Sequence, residues 1–213
     1  MSHVEVIRKP RGRPRKGGED YAVVRERLVR AGVAALTEQG FVSAGLDQIV
    51  KSAGVPKGSF YTFFSSKEAF GLELIDRYRV YFARRLDRIL LNETLTPLQR
   101  LREFIRESAD NVARFDYRRG CLVGNLGQEM GALPESFRQR LIDVFTDWQA
   151  RVEQCLHSAQ EAGEIASSLD CARKAEAFWI GWEGAVLRAK LERSIRPMET
   201  YAEDFLASVD FRF

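Results

Sequence analysis

The stretch Val55-Pro56-Lys57-Gly58-Ser59-Phe60-Tyr61-Thr62-Phe63-Phe64-Ser65-Ser66-Lys67-Glu68-Ala69-Phe70 decides the fold of the first part of this chain. It has the pattern of a short helix, a tight break and the start of a longer helix. The first turn carries only lysine, glycine and serine, which can enter a DNA major groove where bulkier residues would clash. The aromatic residues that follow would hold this helix on a small core. The pattern predicts a helix-turn-helix and therefore DNA binding.

Helical periodicity extends on both sides of this stretch. Apolar residues from Tyr21 follow helical spacing up to Gly40, which is typical of a glycine that ends a helix. A second short helix is predicted over residues 46–53, a third over 56–64, and a fourth from Ser66 through Leu91. The first three form a domain of about fifty residues, which is marginal alone and needs the fourth helix for docking.

The rest of the chain also has helical patterning. No alternating pattern is long enough for a strand, so the predicted fold class is all-α. We expect a disordered basic arm over residues 1–18, a three-helix DNA-binding domain over 19–66, and a larger helical effector-binding and dimerisation domain over 67–213. Helices of the larger domain are predicted at 97–115, 122–131, 134–161, 172–193 and 197–207.

Composition excludes several classes of protein. The chain has 213 residues, of which 45% are hydrophobic and 30% charged, as in ordinary globular proteins. No apolar run approaches the ~18 residues of a membrane span, and the basic N-terminus has no apolar segment of a secretory signal. Three cysteines lie far apart without a CxxC pair. We therefore expect no metal site, cofactor or disulfide framework, and a cytoplasmic location.

Charge is distributed unevenly along the chain. Residues 1–66 carry 11 Lys/Arg and 6 Asp/Glu, whereas residues 67–213 carry 22 and 24. The excess of positive charge coincides with the helix-turn-helix pattern, as an end that binds a polyanion requires. The alternative is a solvated surface with a chance asymmetry, because the N-terminal arm alone supplies six of these cations.

The motif Gly58-x-Phe60-Tyr61-x-x-Phe64-x-x-Lys67-x-x-Phe70, followed by about 150 residues of helical pattern, resembles the TetR family of transcriptional repressors. The resemblance implies a homodimer, a double-stranded DNA operator with two-fold symmetry, and an effector pocket in the C-terminal domain. It also implies phosphate contacts at Tyr61 and Lys67, with residues 57–59 facing the major groove. Thr62 departs from the family pattern, in which histidine or tyrosine is more usual.

The C-terminal half carries a narrower resemblance. The segments Arg119-Gly120-Cys121-Leu122-Val123-Gly124-Asn125 and Phe178-Trp179-Ile180-Gly181-Trp182-Glu183-Gly184-Ala185, with Lys190 later in the same predicted helix, are similar to acrylate-responsive AcuR-like repressors. They are less closely similar to NemR-like repressors, which sense electrophiles. The resemblance implies acrylate, a related compound or an electrophile as the effector.

DNA-contacting candidates fall into two groups. Arg11, Arg13 and Arg15 lie on an extended Arg-Gly-Arg-Pro strip that resembles an AT-hook and fits a narrow minor groove. The alternative is a basic tail that contacts phosphates without a fixed register. The candidates within the helix-turn-helix are Ser43, Lys51, Lys57, Gly58, Ser59, Tyr61 and Lys67. Alternatively, Tyr61 is a core aromatic residue and Lys67 a solvated cation.

Cys121 is the candidate sensor. It follows Arg118 and Arg119 at the expected start of a helix, and both features would lower the pKa of its thiol. A thiolate can attack acrylate-type Michael acceptors or be oxidised to the sulfenic state. Lys190 is a candidate partner amine. The alternative is that Cys121 is a small buried apolar residue.

An effector cavity would combine aromatic walls with a few polar groups. The aromatic candidates are Trp148, Trp179 and Trp182. The polar candidates are Asn125, Gln128 and Glu129. A small carboxylate would also need a cation, for which the candidates are Arg118, Arg188 and Lys190. The alternative for each tryptophan is plain core packing.

Small residues recur every fourth position along one predicted helix, which allows close approach of another helix. Ala177, Gly181, Ala185 and Ala189 form this stripe, and Phe205 could extend the same surface. The resemblance implies a dimeric four-helix bundle built from this helix and the last one. The alternative is close packing within one subunit.

The sequence therefore predicts a dimeric repressor that leaves a palindromic operator on binding a small effector, or after modification of Cys121. One alternative is an electrophile- or redox-sensing repressor of a detoxification operon. Another is a non-specific architectural DNA-binding protein built around the basic arm. An enzyme with Cys121 as nucleophile is disfavoured, because His3 and His157 form no evident Cys–His pair.

Overall fold

The computed structural model describes residues 20–210, and all regular secondary structure in that range is helical. This confirms the predicted all-α class. The helices are α1 (Tyr21–Ser43), α2 (Leu46–Ser52), α3 (Phe60–Phe63), α4 (Lys67–Leu90), α5 (Pro97–Arg114), α6 (Leu122–Gln128), α7 (Glu135–Glu161), α8 (Cys171–Glu192) and α9 (Arg196–Ala207).

A cluster of aromatic rings fixes the helix-turn-helix to α4. Phe60 and Phe64 lie with their ring centroids 5.2 Å and 4.5 Å from that of Phe70 in the first turn of α4. α1 approaches this cluster closely, since a Cβ at Gly32 would lie 2.5 Å from the Phe70 ring. Ser66 caps α4 by accepting a hydrogen bond from Ala69 N at 3.0 Å. The three short helices therefore depend on α4 for their packing.

Gly40 interrupts α1. Gly40 has φ +76°, a left-handed conformation that suits glycine, and a last short helical segment runs beyond it to Ser43. The regular part of α1 therefore ends at Gly40 as predicted, and the segment after the kink was not predicted. Phe41 turns inward after the kink and packs edge-on against Phe137 of α7 at 4.9 Å.

Other helix boundaries differ from the expected ones for local reasons. The third predicted helix splits into a 3-10 turn, Lys57–Ser59, followed by α3. α6 ends at Gln128 instead of residue 131, because Glu129 starts a tight turn in which its carbonyl accepts from Ala132 N at 2.8 Å. α8 begins at Cys171, where Asp170 supplies the cap.

The C-terminal domain packs α5, α7, α8 and α9 around the second half of α4. Its centre is aromatic: Phe82 lies 4.3 Å from Trp148, and Trp148 lies 4.9 Å from Trp179, ring centroid to centroid. Phe104 of α5 and Phe178 of α8 complete this cluster. Over residues 20–210, the helices all fall short of the length and apolar character needed to cross a bilayer.

Candidate DNA-binding face and effector site

The helix-turn-helix presents a polar and cationic face to solvent. Tyr61 is 66% exposed and contacts only the edge of Phe60, so its ring is available to a partner. Lys57 is exposed and forms an ion pair with Asp47 at 2.6 Å, which orients it between α2 and the 3-10 turn. Ser43, Lys51 and Gly58 are also exposed, and Ser59 is half-buried.

Lys67 has a different partner from the phosphate that the resemblance implies. Its Nζ donates to the Phe41 carbonyl at 2.8 Å and lies 4.6 Å from the centroid of the Phe41 ring. Burial lowers the pKa of Lys67, and the nearby Glu129 carboxylate partly offsets this. The side chain thus ties the start of α4 to the kinked end of α1. Arg11, Arg13 and Arg15 lie outside the described residues, so the AT-hook-like arm stays a prediction.

A small cavity of about 50 Å³ lies within the C-terminal domain. α4, α5 and α8 form its walls, with Met198 of α9 and the segment that precedes α6 closing it. It contains Cys121, Trp179 and Trp182, three of the ten predicted effector residues. The other lining residues are Tyr78, Phe82, Arg85, Ser108, Asn111, Val112, Arg119, Gly120, Glu183, Val186 and Met198.

Cys121 is surrounded by polar groups. Its sulfur accepts from Gly124 N at 3.4 Å, which makes it the cap of α6, and it lines the same cavity as the Tyr78 hydroxyl and the Glu183 carboxyl. Burial, followed by the charge of Glu183, raises the pKa of the thiol well above its ordinary value, despite the opposing backbone hydrogen bonds. The expected lowering of this pKa is therefore wrong.

The two arginines that precede Cys121 do not stabilise a thiolate. Arg118 is exposed to solvent, and Arg119 donates through Nε to Glu38 of α1 at 2.9 Å while its guanidinium lies over the Phe115 ring. The carboxylate of Glu183 is instead the charged group that contacts the thiol. Cys155 and Cys171 are buried in the core, with Cys155 Sγ 3.3 Å from the Pro97 carbonyl.

Two glycines make room for charged side chains of α8 beside Cys121. A Cβ at Gly124 would lie 2.0 Å from Glu183 Oε2, and a Cβ at Gly120 would lie 2.7 Å from Lys190 Cδ. Burial raises the pKa of Glu183 to about 7 and lowers that of Lys190. The Gly120-Cys121 element therefore brings a thiol, a carboxyl and an amine of two different helices close together.

The three tryptophans lie in two different environments, the wall of the cavity and the hydrophobic core. Trp179 and Trp182 line the cavity, and the indole N–H of Trp179 is buried without a hydrogen-bond partner among the described residues. Trp148 is fully buried behind Trp179 and does not reach the cavity, so its predicted role as a lining residue is corrected to core packing.

Asn125, Glu129 and Lys190 connect the domains. Asn125 Nδ2 donates to the Leu36 and Thr37 carbonyls of α1 at 3.0 and 2.9 Å, and Lys190 Nζ donates to Asn125 Oδ1 at 3.4 Å. Gly120 N also donates to the Thr37 carbonyl, at 3.1 Å. These residues were predicted to line the cavity, but they link its wall to the DNA-binding domain instead.

Three further effector candidates point away from the cavity. Arg118, Gln128 and Arg188 are exposed, and Arg188 forms an ion pair with Glu192 one turn later on α8. Their expected role as effector ligands is corrected accordingly. Among the described residues, two cations do line the cavity. Arg119 pairs with Glu38, whereas Arg85 donates through Nη2 to Ser108 at 3.0 Å and has its Nε 3.7 Å from Glu107.

The predicted dimer stripe on α8 divides in the same way. Ala185 and Ala189 are buried inside the subunit, and Phe205 packs on Phe178 at 5.0 Å. Gly181 admits the Tyr201 ring of α9, since a Cβ there would lie 2.1 Å from it. These four therefore serve packing within one subunit, whereas Ala177 is exposed. The large apolar residues that α8 exposes are Ile180, Leu187 and Leu191, at 69%, 43% and 77%.

Sequence reasoning missed Tyr78, Arg85 and Glu183. Glu183 left a signal, because it is the one charged residue between Ala177 and Leu187, a segment that is otherwise apolar or glycine. Tyr78 and Arg85 are ordinary positions of an amphipathic α4, and only the packing of α4 against α6 and the segment before it brings them to the cavity that contains Cys121. Within residues 20–210, no cluster of three or more His, Cys, Asp or Glu side chains could hold a metal ion.

A larger open groove of about 910 Å³ lies between α4 and α5. It is rich in arginine, but its charges are mostly paired: Arg77 with Glu26, Arg88 with Glu107 at 2.7 Å, and Arg106 with Asp110 at 2.7 Å. The smaller cavity holds the Trp179 indole, whose N–H is without a hydrogen-bond partner among the described residues, as that of Trp148 is in the core, together with the half-buried Cys121 thiol and Glu183 carboxyl. It is therefore the better candidate for a specific effector.

Known proteins match both halves of the chain. Residues 28–74 match the family "Bacterial regulatory proteins, tetR family", and residues 97–205 match the "Tetracyclin repressor-like, C-terminal domain". The transcriptional regulator AcuR of Cereibacter sphaeroides is 53% identical over 201 residues, which cover 94% of this chain and 91% of the relative.

Two further matches extend this likeness. The repressor NemR of Escherichia coli K12 is 30% identical over 175 residues, which cover 82% of this chain and 88% of the relative. The crystal structure of the regulatory protein TetR from Rhodobacter sphaeroides superimposes with a TM-score of 0.86 at 51% identity, covering 88% of this chain and 99% of that one.

Proposed function

Because the chain belongs to the TetR family of bacterial transcriptional regulators, we propose that it is a repressor that a small effector releases from a palindromic operator. Its relatives are DNA-binding regulators and not enzymes, so the chain is likewise a regulator. The proposal that it represses draws support from the relatives named as repressors, NemR among them.

One observation carries the proposal: the wall of the cavity is bonded directly to α1. Arg119, Gly120 and Asn125 flank or follow Cys121, and all three bond to residues 36–38 of α1. A ligand that displaces this segment therefore pulls on the helix that supports the DNA-binding domain. By linkage, the effector can lower operator affinity only to the extent that it binds the released conformation more tightly than the operator-bound one.

The cavity favours a very small, polar effector. Its volume of about 50 Å³ excludes drug-sized molecules, which need sites of several hundred Å³. Arg85 supplies a cation suited to a carboxylate, and the aromatic rings suit a short apolar group. Acrylate, the effector that the sequence resemblance implies, combines these features in few atoms. Electrophile sensing is the second candidate, because Cys121 lines the same cavity.

We also propose a homodimer formed through α8 and α9. The exposed apolar residues Ile180, Leu187 and Leu191 give α8 a surface suited to a second copy. A dimer would place two recognition helices in successive major grooves, about 34–36 Å apart. The long helical domain with its own cavity makes a purely architectural DNA-binding protein the weaker alternative.

The test is operator binding with and without acrylate, on a palindromic fragment from the protein's own promoter region. Wild-type protein is compared with Cys121→Ser. We expect acrylate to release the wild type. Release of both proteins would assign sensing to a non-covalent site, and release of the wild type alone would make the response thiol-dependent. A protein that binds no such fragment would contradict the proposed function.

If acrylate released neither protein while a stronger electrophile or hypochlorite released only the wild type, the repressor would be an electrophile or redox sensor instead. A salt titration adds an independent check, because a non-specific binder would show similar affinity for the operator and for an unrelated A·T-rich fragment.

A further inference from the structure

Glu183 and Cys121 form a thiol–carboxyl pair for which effector binding alone gives no reason. The two side chains line the same cavity on either side of Gly124, since a Cβ at Gly124 would lie 2.0 Å from Glu183 Oε2 and 3.6 Å from Cys121 Cβ. A half-buried carboxyl group without a salt-bridge partner lowers the stability of a fold. Glu183 lies in a segment that is otherwise apolar and lowers the stability of the fold. Its presence there therefore suggests a chemical role.

A second, independent feature indicates that a polar ligand enters beside this pair. Trp179 is 1% exposed and lines the cavity with Cys121, and its indole N–H has no partner among the described residues. Buried N–H groups are almost always hydrogen-bonded, so an unpaired one in a cavity wall is suited to a ligand oxygen. Arg85, in the same wall, adds a guanidinium.

We propose that Glu183 is the proton acceptor that activates Cys121 toward α,β-unsaturated carboxylates and carbonyl compounds, an inference that rests on the proposed function. As the Cys121 sulfur bonds to the β-carbon, the S–H bond breaks and its proton passes to Glu183. The electrons of the C=C bond move to the α-carbon and onto the carbonyl oxygen. Glu183 then returns the proton to the α-carbon, which leaves a thioether and restores the carboxylate.

The surrounding charges fit these steps. Tyr78 of α4, Arg85 and Arg119 line the cavity with the thiol, and Lys190 of α8 interacts favourably with the sulfur when the sulfur is ionised. The Arg85 guanidinium and the Trp179 N–H can stabilise the charge that develops on the ligand oxygen. Glu183, with a pKa of about 7, is divided between its two protonation states near neutrality, as suits a proton acceptor. The thiol alone, with its raised pKa, stays protonated there.

The experiment measures adduct formation at Cys121 on the folded, full-length protein. Acrylate and acrylamide are the probes, and intact-protein and peptide mass spectrometry follow the rate on both sides of neutral pH. The variants are Glu183→Gln and Glu183→Asp. Glu192→Gln is the control, because it makes the same change on the surface of the same helix.

We expect a wild-type rate that rises with pH through about 7, following Glu183. In Glu183→Gln the rate should fall roughly 100-fold, the scale of general-base catalysis, and should rise only at the more alkaline pH where the thiol ionises. Glu183→Asp should keep part of the rate and the near-neutral dependence, and Glu192→Gln should match the wild type.

An unchanged rate and pH profile in a folded Glu183→Gln, or no adduct on wild-type Cys121, would overturn the inference. If Glu183→Gln does not fold, a Glu183→Asp variant with the same adduct rate and pH profile as the wild type would overturn it equally, because the shorter side chain moves the proton acceptor away from the sulfur. The proposed function is tested separately. If acrylate releases the wild-type protein from its operator but forms no adduct, the proposed function stands and only the proposed chemistry of Glu183 and Cys121 is contradicted.

Discussion

The Glu129 carboxylate fills the space left by the missing side chain of Gly40. A Cβ at Gly40 would lie 2.3 Å from Glu129 Oε1, and the same carboxylate accepts hydrogen bonds from Phe41 N at 2.6 Å and Val42 N at 3.3 Å. A residue of the C-terminal domain thus completes the kink of a helix in the DNA-binding domain. The relationship makes the geometry of this kink dependent on the segment that follows Cys121.

Replacing Glu129 by alanine should therefore weaken the junction of the two domains. The loss of hydrogen bonds from two backbone N–H groups to a charged acceptor should cost about 1–3 kcal/mol, measured by urea unfolding. Operator affinity should also fall, because the kink loses its support. Glu135→Ala, which removes only a surface pair with Arg138, is the control and should change neither quantity.

Gly124→Ala should disturb the effector site without harming α6 itself. The new methyl group would lie 2.0 Å from Glu183 Oε2, so Glu183 must move, at a cost of about 1–3 kcal/mol. Operator binding should persist while the response to acrylate is lost. Gly127→Ala, on the same helix with open space around it, should keep the response and slightly raise the unfolding temperature. Equal behaviour of the two variants would argue against the fit between Gly124 and Glu183.

Glu183→Gln should stabilise the protein in a pH-dependent way. Burial raises the native pKa of Glu183 from 4.5 to about 7. Its protonation therefore contributes fully to the free energy of unfolding below about pH 4.5, and this contribution is lost as the pH rises through 7. The variant should gain up to roughly 3 kcal/mol relative to the wild type at mildly alkaline pH, and nothing at acidic pH. Chemical denaturation at several pH values measures this; a difference that is constant with pH would refute the raised pKa.

Tyr61→Ala should weaken operator binding with little effect on folding. The ring is exposed, so its removal forms no cavity, but the variant loses one contact in each half of the operator. At about 0.5–1.5 kcal/mol for each contact, the affinity should fall roughly ten-fold. Tyr81→Ala removes a ring of similar exposure from α4 and should bind the operator as the wild type does.

Ile180→Arg should separate the proposed dimer. The side chain is 69% exposed on one subunit, and an arginine there would leave a charge unpaired within an α8–α8 contact. Analytical ultracentrifugation should find monomers. Operator affinity, measured separately, should also fall, because the two DNA-binding domains no longer bind as a pair. Ile142→Arg, at an apolar residue of α7 that is 49% exposed, provides the matched control. A dimer that survives Ile180→Arg would exclude this face of α8.

Predictions from the sequence were most accurate where a residue pattern is typical of a single structure. The aromatic spacing around Phe60, Phe64 and Phe70 defined the helix-turn-helix, and helical periodicity defined the all-α class. The predictions were least accurate for side-chain direction. Arg118 and Arg119 adjoin Cys121 in the chain, but one faces solvent and the other faces Glu38, so the thiol meets a carboxylate instead.

The effector residues show the same limit. Asn125 and Glu129 have the polarity expected of ligand contacts, and only the packing of α6 against α1 shows that backbone groups of α1 occupy them. Trp148 and Trp179 are equivalent in composition, yet one is core and the other is cavity wall. Such distinctions depend on contacts between residues far apart in the chain.

α4 takes part in both sites, since Phe70 packs against Phe60 of the helix-turn-helix and Tyr78 lines the cavity together with Cys121. Eight residues of helix, about 12 Å, separate these two positions. Because this distance is short and continuously helical, α4 connects the two positions rigidly. For engineering, a change of effector specificity is best sought in the walls contributed by α5 and α8, which can be redesigned while the output is kept. Substitutions on α4 between Phe70 and Tyr78 would alter detection and output together.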